Sequence, residues 1–329
     1  MLPKINFCHG IPSFESPSYF QWINTIPKWV RPIAQDLHTK GYAVLDFPDP
    51  KFEDWAYEIK TDLEPHFDLE AWRKKKLSGQ VGGLRIQDAA KFSPAVKELA
   101  VAPKILKLLE LIYGRMPFPF QTLNFPVGTE QNIHSDTVHF SSWPERFLCG
   151  VWVALEDIGE KQGPLFYWPR SHRFPCLTNE FVSGLKQLDK PSQKIFEPVW
   201  LEMVKEACIQ PEKFVARKGQ VLIWTANLLH AGGAHTDLDC TRWSQVTHYY
   251  FEGCSYWTPM LSDVISGRIE FRNPNNYITG KIIPSYFSGQ KVPVEIDKDL
   301  QLKLMKFQRA KLRISRWFSE QLANSVEDK

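Results

Sequence analysis

Short apolar and aromatic runs, separated by turn residues, fill the chain from Pro119 to about residue 253. The clearest turn signals are Gly163-Pro164 and Lys218-Gly219. Several short strands separated by turns are typical of sandwiches, barrels and jelly rolls. The sequence therefore predicts a mainly β architecture of one of these three kinds. The predicted strands cover residues 41–47, 120–125, 148–155, 165–168, 221–224 and 243–251.

Flanking helices are predicted before this β-rich region. Apolar residues recur at helical spacing over residues 52–64 and 94–113, and Pro103 falls where a new helix could begin, so the second range is predicted to form two helices. The basic run Arg73-Lys74-Lys75-Lys76 between them is predicted to be a solvated loop. Residues 1–37 are expected to form an irregular N-terminal arm, because prolines and aromatic residues alternate there.

Two further segments accompany the predicted core. Residues 178–213 interrupt the strands with a mixed insert, and inserts of this size often form lids or substrate walls. Residues 254–329 are expected to be a helical extension, in which 297–323 carry an apolar stripe and basic residues on other faces. We expect that helix to dock on the sheet or to form a homodimer contact, with a membrane-surface helix as the alternative.

Composition limits the classes of function. The 329 residues are 43% hydrophobic, which is enough for a sizeable core. Their number fits one large domain or two smaller ones, and we expect a single domain over 1–329. A net charge of +3 gives no overall case for binding nucleic acid or membranes. No stretch of about 20 apolar residues is present, so no spanning helix is expected. Six scattered cysteines without a C-x-x-C pair argue against structural zinc and are expected to be free thiols in the cytoplasm.

A candidate metal site lies in the β-rich region. His134 and Asp136 are two positions apart in a segment expected to be extended, so both side chains would point to one face. His230 follows a later apolar run and could supply a third ligand. Two histidines and one carboxylate with open positions are the ligand set of non-haem Fe(II) oxygenases. Arg242 then opens the last predicted strand, where its planar guanidinium could hold a carboxylate, and Ser244 lies on the same face.

A series of motifs runs in order through the β-rich region: Gln121-Thr122-Leu123-Asn124-Phe125, His134-Ser135-Asp136-Thr137, Gly150-Val151-Trp152-Val153-Ala154-Leu155-Glu156-Asp157, Gly163-Pro164-Leu165, Trp168-Pro169-Arg170-Ser171-His172, and His230 followed by Arg242. With these motifs the chain resembles the phytanoyl-CoA dioxygenase family over roughly residues 38–253. One departure is Arg170, which stands where the family more usually has glycine.

The resemblance implies a cupin-like double-stranded β-helix, or jelly roll, with Fe(II) bound by His134, Asp136 and His230. Such an enzyme uses O2 to convert the co-substrate 2-oxoglutarate to succinate and CO2 while it oxidises a small molecule, for example in specialised metabolism. Relatives that halogenate replace the carboxylate ligand with a small residue, so Asp136 favours hydroxylation or desaturation over halogenation.

The resemblance also implies residues that bind the co-substrate and substrate. Arg242 would anchor 2-oxoglutarate, with help from Thr137, Ser244 and Gln121. The segment that begins at Arg85 resembles one that approaches the active-site mouth in this family. Arg85 is therefore a candidate substrate contact, with a surface ion pair as the alternative.

Other histidines and the tryptophans are expected to have structural roles. His139 is expected on the strand face opposite His134, and His248 is expected to be a core residue. His172 is assigned to packing or to indirect support of the site, and His235 receives no role. Trp224 is expected in the core or in a pocket wall.

Two other functions fit parts of this pattern. A cupin-type metal-dependent isomerase or epimerase would use the metal without a 2-oxo acid and would need no carboxylate clamp such as Arg242. A non-catalytic binder on the same fold would have no chemical need for all three ligands. No G-x-G-x-x-G, G-x-x-x-x-G-K-[ST] or H-E-x-x-H pattern is present, so a nucleotide site and a common zinc protease site are not indicated.

Overall fold

The computed structural model describes residues 10–80, 82–184 and 192–293. Within these ranges the chain combines α-helices with antiparallel sheets. The helices are α1 (Tyr19–Trp22), α2 (Arg31–Lys40), α3 (Phe52–Leu63), α4 (Leu69–Leu77), α5 (Pro94–Ala100), α6 (Pro103–Tyr113), α7 (Asn179–Ser183) and α8 (Glu197–Glu206).

The strands are short, apart from three of seven to nine residues. They are β1 (Tyr42–Asp46), β2 (Ile86–Gln87), β3 (Pro117–Phe125), β4 (Ser141–Trp143), β5 (Leu148–Ala154), β6 (Leu165–Tyr167), β7 (Glu212–Phe214), β8 (Gln220–Thr225), β9 (His230–Gly232), β10 (Ser244–Phe251), β11 (Ser255–Trp257), β12 (Phe271–Arg272), β13 (Asn275–Asn276), β14 (Lys281–Ile282), β15 (Tyr286–Phe287) and β16 (Gln290–Lys291).

A six-stranded antiparallel sheet organises the molecule, in the order β1-β8-β5-β10-β3-β2. Its central strands are buried on both faces, because residues that alternate along each strand enter two different cores. Val151 and Ile223 pack in a core that also contains residues of α3, α5 and α6. Trp152 and Leu222 pack on the opposite face, where Tyr167 of β6 contributes to the second core.

A smaller sheet, β7-β6-β9, lies on that second face. A single antiparallel bridge between His134 and His230 extends the edge of this sheet. The candidate metal ligands therefore lie between the two sheets, where strand β9 begins.

The helix predictions were confirmed between residues 52 and 113. Pro103 does begin a new helix, and the αL residue Gly114 ends it. The prediction that the basic run at 73–76 forms a loop was wrong, because this run lies in α4. Asp68 caps this helix by accepting a hydrogen bond from the Ala71 amide, and lysine and arginine are good helix formers.

Both ends of the chain differ from expectation. The N-terminal arm is not wholly irregular, since α1 and α2 lie in it and α2 runs across the expected boundary at residue 37. Between residues 254 and 293 the predicted helical extension is wrong, because this part forms the short strands β11–β16. The predicted helix at 297–323 lies outside the described residues.

Five cysteines lie in the described part of the chain, and all five are free thiols. No helix in the same part is both long enough and apolar enough to cross a membrane.

Candidate metal centre

Two histidines face each other across the bridge that joins their backbones. The His134 amide donates to the His230 carbonyl at 2.9 Å, and the His230 amide donates to the His134 carbonyl at 3.0 Å. This pairing brings the two imidazole rings to a centroid separation of 4.1 Å. Residues 96 positions apart in sequence (230 − 134) are therefore held side by side by backbone hydrogen bonds.

Asp136 reaches the same place by a different route from the one expected. It does not continue an extended strand but begins a 3-10 turn over Asp136–Val138. Ser135 caps this turn, because its hydroxyl accepts a hydrogen bond from the Thr137 amide. The turn, rather than the side-chain alternation of a strand, directs the Asp136 carboxylate toward the histidines.

The three side chains form a compact cluster. One potential ligand atom from each of His134, Asp136 and His230 lies within 4.8 Å of the other two, so the group could hold a metal ion. Oδ1 of Asp136 is 3.9 Å from Nε2 of each histidine. The residues singled out in the sequence are thus brought together, although the local geometry of Asp136 was predicted incorrectly.

The histidine tautomers suit metal binding. Nδ1 of His134 lies 2.8 Å from the Asn132 carbonyl, and Nδ1 of His230 lies 3.0 Å from the Leu228 carbonyl. A carbonyl can only accept a hydrogen bond, so each Nδ1 carries the proton in the neutral ring. Both Nε2 lone pairs are then available on the side of Asp136.

Burial and neighbouring charges set the protonation states of His134 and Asp136. Desolvation, with His230 close by, lowers the pKa of His134 to about 3, so this imidazole is neutral at physiological pH. Burial alone would raise the pKa of Asp136, but the nearby His230, His248 and His134 outweigh it and hold that pKa well below its ordinary value. A neutral imidazole and an ionised carboxylate are the protonation states that a metal requires.

Arg242 lines the same cavity as the cluster. Its side chain is 2% exposed and lies over the Trp152 ring, with the guanidinium carbon 5.2 Å from the ring centroid. Nη1 donates to the Ser244 hydroxyl at 3.2 Å, and among the described residues Nε has no partner and no carboxylate pairs with the group. Burial lowers the pKa of Arg242 to about 10. A buried and unpaired guanidinium is costly unless an anion binds to it.

A cavity of about 310 Å3 joins these groups. Arg85 and Gln121 line it as well. Ser244 does not line the cavity but contacts Arg242 from behind. Thr137, which the resemblance implies as a co-substrate contact, does not line the cavity, and its buried hydroxyl donates to Asn227 at 3.0 Å.

Sequence reasoning missed three residues at this centre. Trp224 is not only a wall residue, since its indole N–H donates to Oδ2 of Asp136 at 2.7 Å. His248 is not only a core residue, since it lines the cavity with Nε2 3.4 Å from the same oxygen. His139 lines the cavity too, with its ring 6.4 Å from that of His134 and its Nε2 3.0 Å from Gln193. No local sequence signal marks these contacts, because they depend on how distant segments pack.

The other singled-out residues lie outside the cavity. His172 is buried with Nε2 3.3 Å from the His38 carbonyl, and it packs so closely on Gly41 that a Cβ there would lie 2.5 Å from the ring. His235 accepts a hydrogen bond from the Gly128 amide. Arg170 has φ 72, the left-handed conformation that glycine adopts most readily, which explains why glycine suits this position.

Comparisons with known proteins support the family resemblance. Phytanoyl-CoA dioxygenase domain-containing protein 1 of Danio rerio is 26% identical over 184 residues, which are 51% of this chain and 57% of that protein. The chain therefore matches little more than half the length of this curated relative.

Two solved structures from nogalamycin biosynthesis share the fold. The non-haem α-ketoglutarate-dependent epimerase SnoN is 18% identical, with a TM-score of 0.53 over 73% of this chain and 90% of that one. The non-haem α-ketoglutarate-dependent carbocyclase SnoK is 15% identical, with a TM-score of 0.53 over 74% and 91%. At these identities the likeness concerns the fold alone.

The family model for phytanoyl-CoA dioxygenase matches residues 37–242, which include all three candidate metal ligands and Arg242. That match covers more than half of the chain and agrees with the range from 38 to 253 expected from its motifs. The chain belongs to the phytanoyl-CoA dioxygenase family.

Proposed function

We propose that this protein is an Fe(II)- and 2-oxoglutarate-dependent oxygenase that hydroxylates a small molecule. The observation that carries the proposal is one cavity that contains both a His-Asp-His cluster and a buried arginine with no carboxylate partner among the described residues. The cluster suits a divalent metal, and the arginine suits the carboxylate of a 2-oxo acid. A cupin-type isomerase that uses no 2-oxo acid would have no anionic co-substrate to pair with the buried charge of Arg242.

The donor set fits iron. His134 and His230 offer Nε2, and Asp136 offers a carboxylate oxygen, which together form the facial ligand set of non-haem Fe(II) oxygenases. Bound iron would supply the activation of O2 that is coupled to oxidative decarboxylation of 2-oxoglutarate. SnoN has been solved with Fe3+ and α-ketoglutarate, which makes the same pair the first cofactors to test here.

Arg242 is proposed to bind the distal carboxylate of 2-oxoglutarate. Its guanidinium is fixed by the Ser244 hydroxyl and by the Trp152 ring, so a bound ligand does not have to order this side chain. Gln121 also lines the cavity, and its buried Oε1 has no hydrogen-bond partner among the described residues. It is proposed to bind the co-substrate or a water beside it.

The proposed outcome is hydroxylation, with desaturation as a variant of the same chemistry. Asp136 fills the position that a halide would need, so halogenation is not proposed. Because SnoN is an epimerase and SnoK a carbocyclase, the reaction outcome must be read from the product.

The prime substrate is proposed to be a small molecule that enters past Arg85. The cavity, about 310 Å3, falls at the low end of sites for small ligands. Arg85 is exposed and lines the cavity, so it could contact an anionic or polar substituent of the substrate. A homodimer through residues 297–323 and a cytoplasmic location stay predictions.

A double-stranded β-helix is the proposed form of the core. Support comes from the two antiparallel sheets, with β10 central in the larger one, and from the His134–His230 bridge at the edge of the smaller one.

The test is succinate release from 2-oxoglutarate under air. The wild-type protein with Fe(II) is expected to form succinate, faster in the presence of a substrate, and His134→Ala is expected to lose this activity because a ligand is missing. His66→Ala, which changes a histidine outside the cavity, is the matched control and should keep it. Equal turnover by the wild-type and His134→Ala proteins would disprove the assignment.

A further inference from the structure

We propose that Trp224 and His248 are positioning residues that make Asp136 bind the metal through a single oxygen. The inference rests on the proposed iron site and goes beyond it, because neither residue belongs to the three-ligand cluster. Both side chains approach Oδ2 of the carboxylate, whereas Oδ1 is the oxygen nearer to the two histidine ligands.

The two oxygens of Asp136 have different surroundings. Oδ1 faces the metal position, since it lies 3.9 Å from Nε2 of both His134 and His230. Oδ2 accepts the indole N–H of Trp224 at 2.7 Å and lies 3.4 Å from Nε2 of His248. A charged acceptor strengthens such a hydrogen bond, and rotation of the carboxylate to bring both oxygens to a metal would break it.

Trp224 can reach Asp136 only because its neighbour across the sheet is a glycine. Gly150 of β5 is paired with Trp224 of β8 on one side and with His248 of β10 on the other. A Cβ at Gly150 would lie 2.2 Å from two carbon atoms of the indole and 2.7 Å from its nitrogen. The indole therefore occupies the space of the missing side chain.

This row of residues crosses the sheet in register. Trp224, Gly150 and His248 are consecutive partners on three strands, so their side-chain positions share one face. All three are fixed by the ladder of the largest sheet rather than by a loop, and Trp224 and His248 are buried at 4% and 3% exposure. Both residues that contact Oδ2 of Asp136 therefore belong to strands of the six-stranded sheet.

The consequence concerns how many positions of the metal stay open. An octahedral ion bound by two imidazoles and one carboxylate oxygen keeps three positions, which suffice for a bidentate 2-oxo acid and O2. A bidentate Asp136 would occupy one of them. Trp224 and His248 are therefore expected to affect the affinity for the metal and the coordination number together.

The test uses Co(II) under anaerobic conditions, so that metal binding is read without turnover. We expect Trp224→Phe to lower Co(II) affinity about 10- to 100-fold, as is usual for loss of a hydrogen bond to a metal ligand. We also expect the intensity of the Co(II) d–d absorption to change, because it reports the coordination number. Trp257→Phe is the matched control: this tryptophan is also buried, and its indole N–H has no partner among the described residues.

Two further variants separate positioning from packing. His248→Gln keeps an N–H donor and should retain more Co(II) affinity than His248→Leu. Gly150→Ala should shift affinity and spectrum as Trp224→Phe does, since the added methyl displaces the indole. If Gly150→Ala does not fold, two comparisons still test the positioning role. They are Trp224→Phe against Trp257→Phe, and His248→Gln against His248→Leu.

The outcomes distinguish this inference from the proposed function. Wild-type protein that binds Co(II) through His134, with unchanged affinity and spectrum in Trp224→Phe and His248→Leu, would overturn the positioning role alone. Wild-type protein that binds no Co(II) would overturn the metal site and the positioning role with it.

Discussion

At the residue scale, Arg242 places a buried charge in the cavity. In the part of the chain that the structure describes, the Ser244 hydroxyl is its one hydrogen-bond partner, and burial lowers its pKa to about 10. At neutral pH it is protonated in the folded and the unfolded protein, so the full desolvation cost opposes folding there. That cost would be relieved only as the pH rises through about 10. The charge of Arg242 therefore lowers the stability of the ligand-free protein, and an anionic ligand that pairs with it would offset this cost.

Arg242→Met tests whether Arg242 lowers the stability of the ligand-free protein and strengthens the binding of 2-oxoglutarate. In the ligand-free protein we expect the free energy of unfolding to rise by about 1 kcal/mol or more, since an apolar side chain of similar length replaces an unpaired buried charge. The affinity for 2-oxoglutarate in the presence of Mn(II) should fall by about 30-fold or more, because a buried charge pair can no longer form. Denaturant unfolding and titration calorimetry measure the two effects.

The matched control is Arg217→Met. Arg217 is an exposed arginine paired with Asp46, and loss of such a pair changes stability by about 0.5 kcal/mol or less. A ligand-free Arg242→Met protein that is less stable than the wild type, with normal 2-oxoglutarate binding, would show that Arg242 is structural.

At the scale of elements, α4 supports the loop that leads to the metal ligands. Lys76 pairs with Glu130 in a largely buried contact, and Arg73 donates to the Leu238 carbonyl. The Glu130 carboxylate also accepts a hydrogen bond from the His235 amide, and the Glu130 backbone lies in the left-handed region at φ 51. A basic run that was expected to be solvent-exposed therefore joins two loops beside the cavity.

Lys76→Gln is expected to loosen that loop. Removal of one partner from a largely buried ion pair should cost about 1–2 kcal/mol of stability, and amides at 128–133 should exchange faster with solvent. Lys74→Gln is the control on the same helix, because its ion pair with Glu70 is exposed on both sides. Equal exchange rates in the two variants would mean that α4 does not hold the loop.

The elements that sequence predicted best carry local signals. Pro103 marks a helix start through its own backbone chemistry, and the strand ranges follow from continuous apolar runs such as 148–155. The turn at Asp136 was missed because His-x-Asp spacing is compatible with both a strand and a capped 3-10 turn. In the fold the Ser135 hydroxyl accepts a hydrogen bond from the Thr137 amide and so stabilises the turn.

At the scale of the whole molecule, the site is a product of sheet register. The ligands His134 and His230 were predictable from residue type and family motif, but the support from Trp224 was not. That contact needs β8 to pair with β5 so that Gly150 lies beside the indole, and register between strands about 75 residues apart in sequence has no local signature (224 − 150 = 74). The same long-range packing places the wall residue Gln193, from the predicted insert, beside His139.

The measurement that tests the central claim most directly is anomalous diffraction at the iron edge. A crystal grown without O2 and soaked with Fe(II) and 2-oxoglutarate should give one iron peak, in contact with Nε2 of His134, Nε2 of His230 and Oδ1 of Asp136. The distal carboxylate of 2-oxoglutarate should lie against Arg242. An iron peak elsewhere, or 2-oxoglutarate bound away from Arg242, would contradict the account.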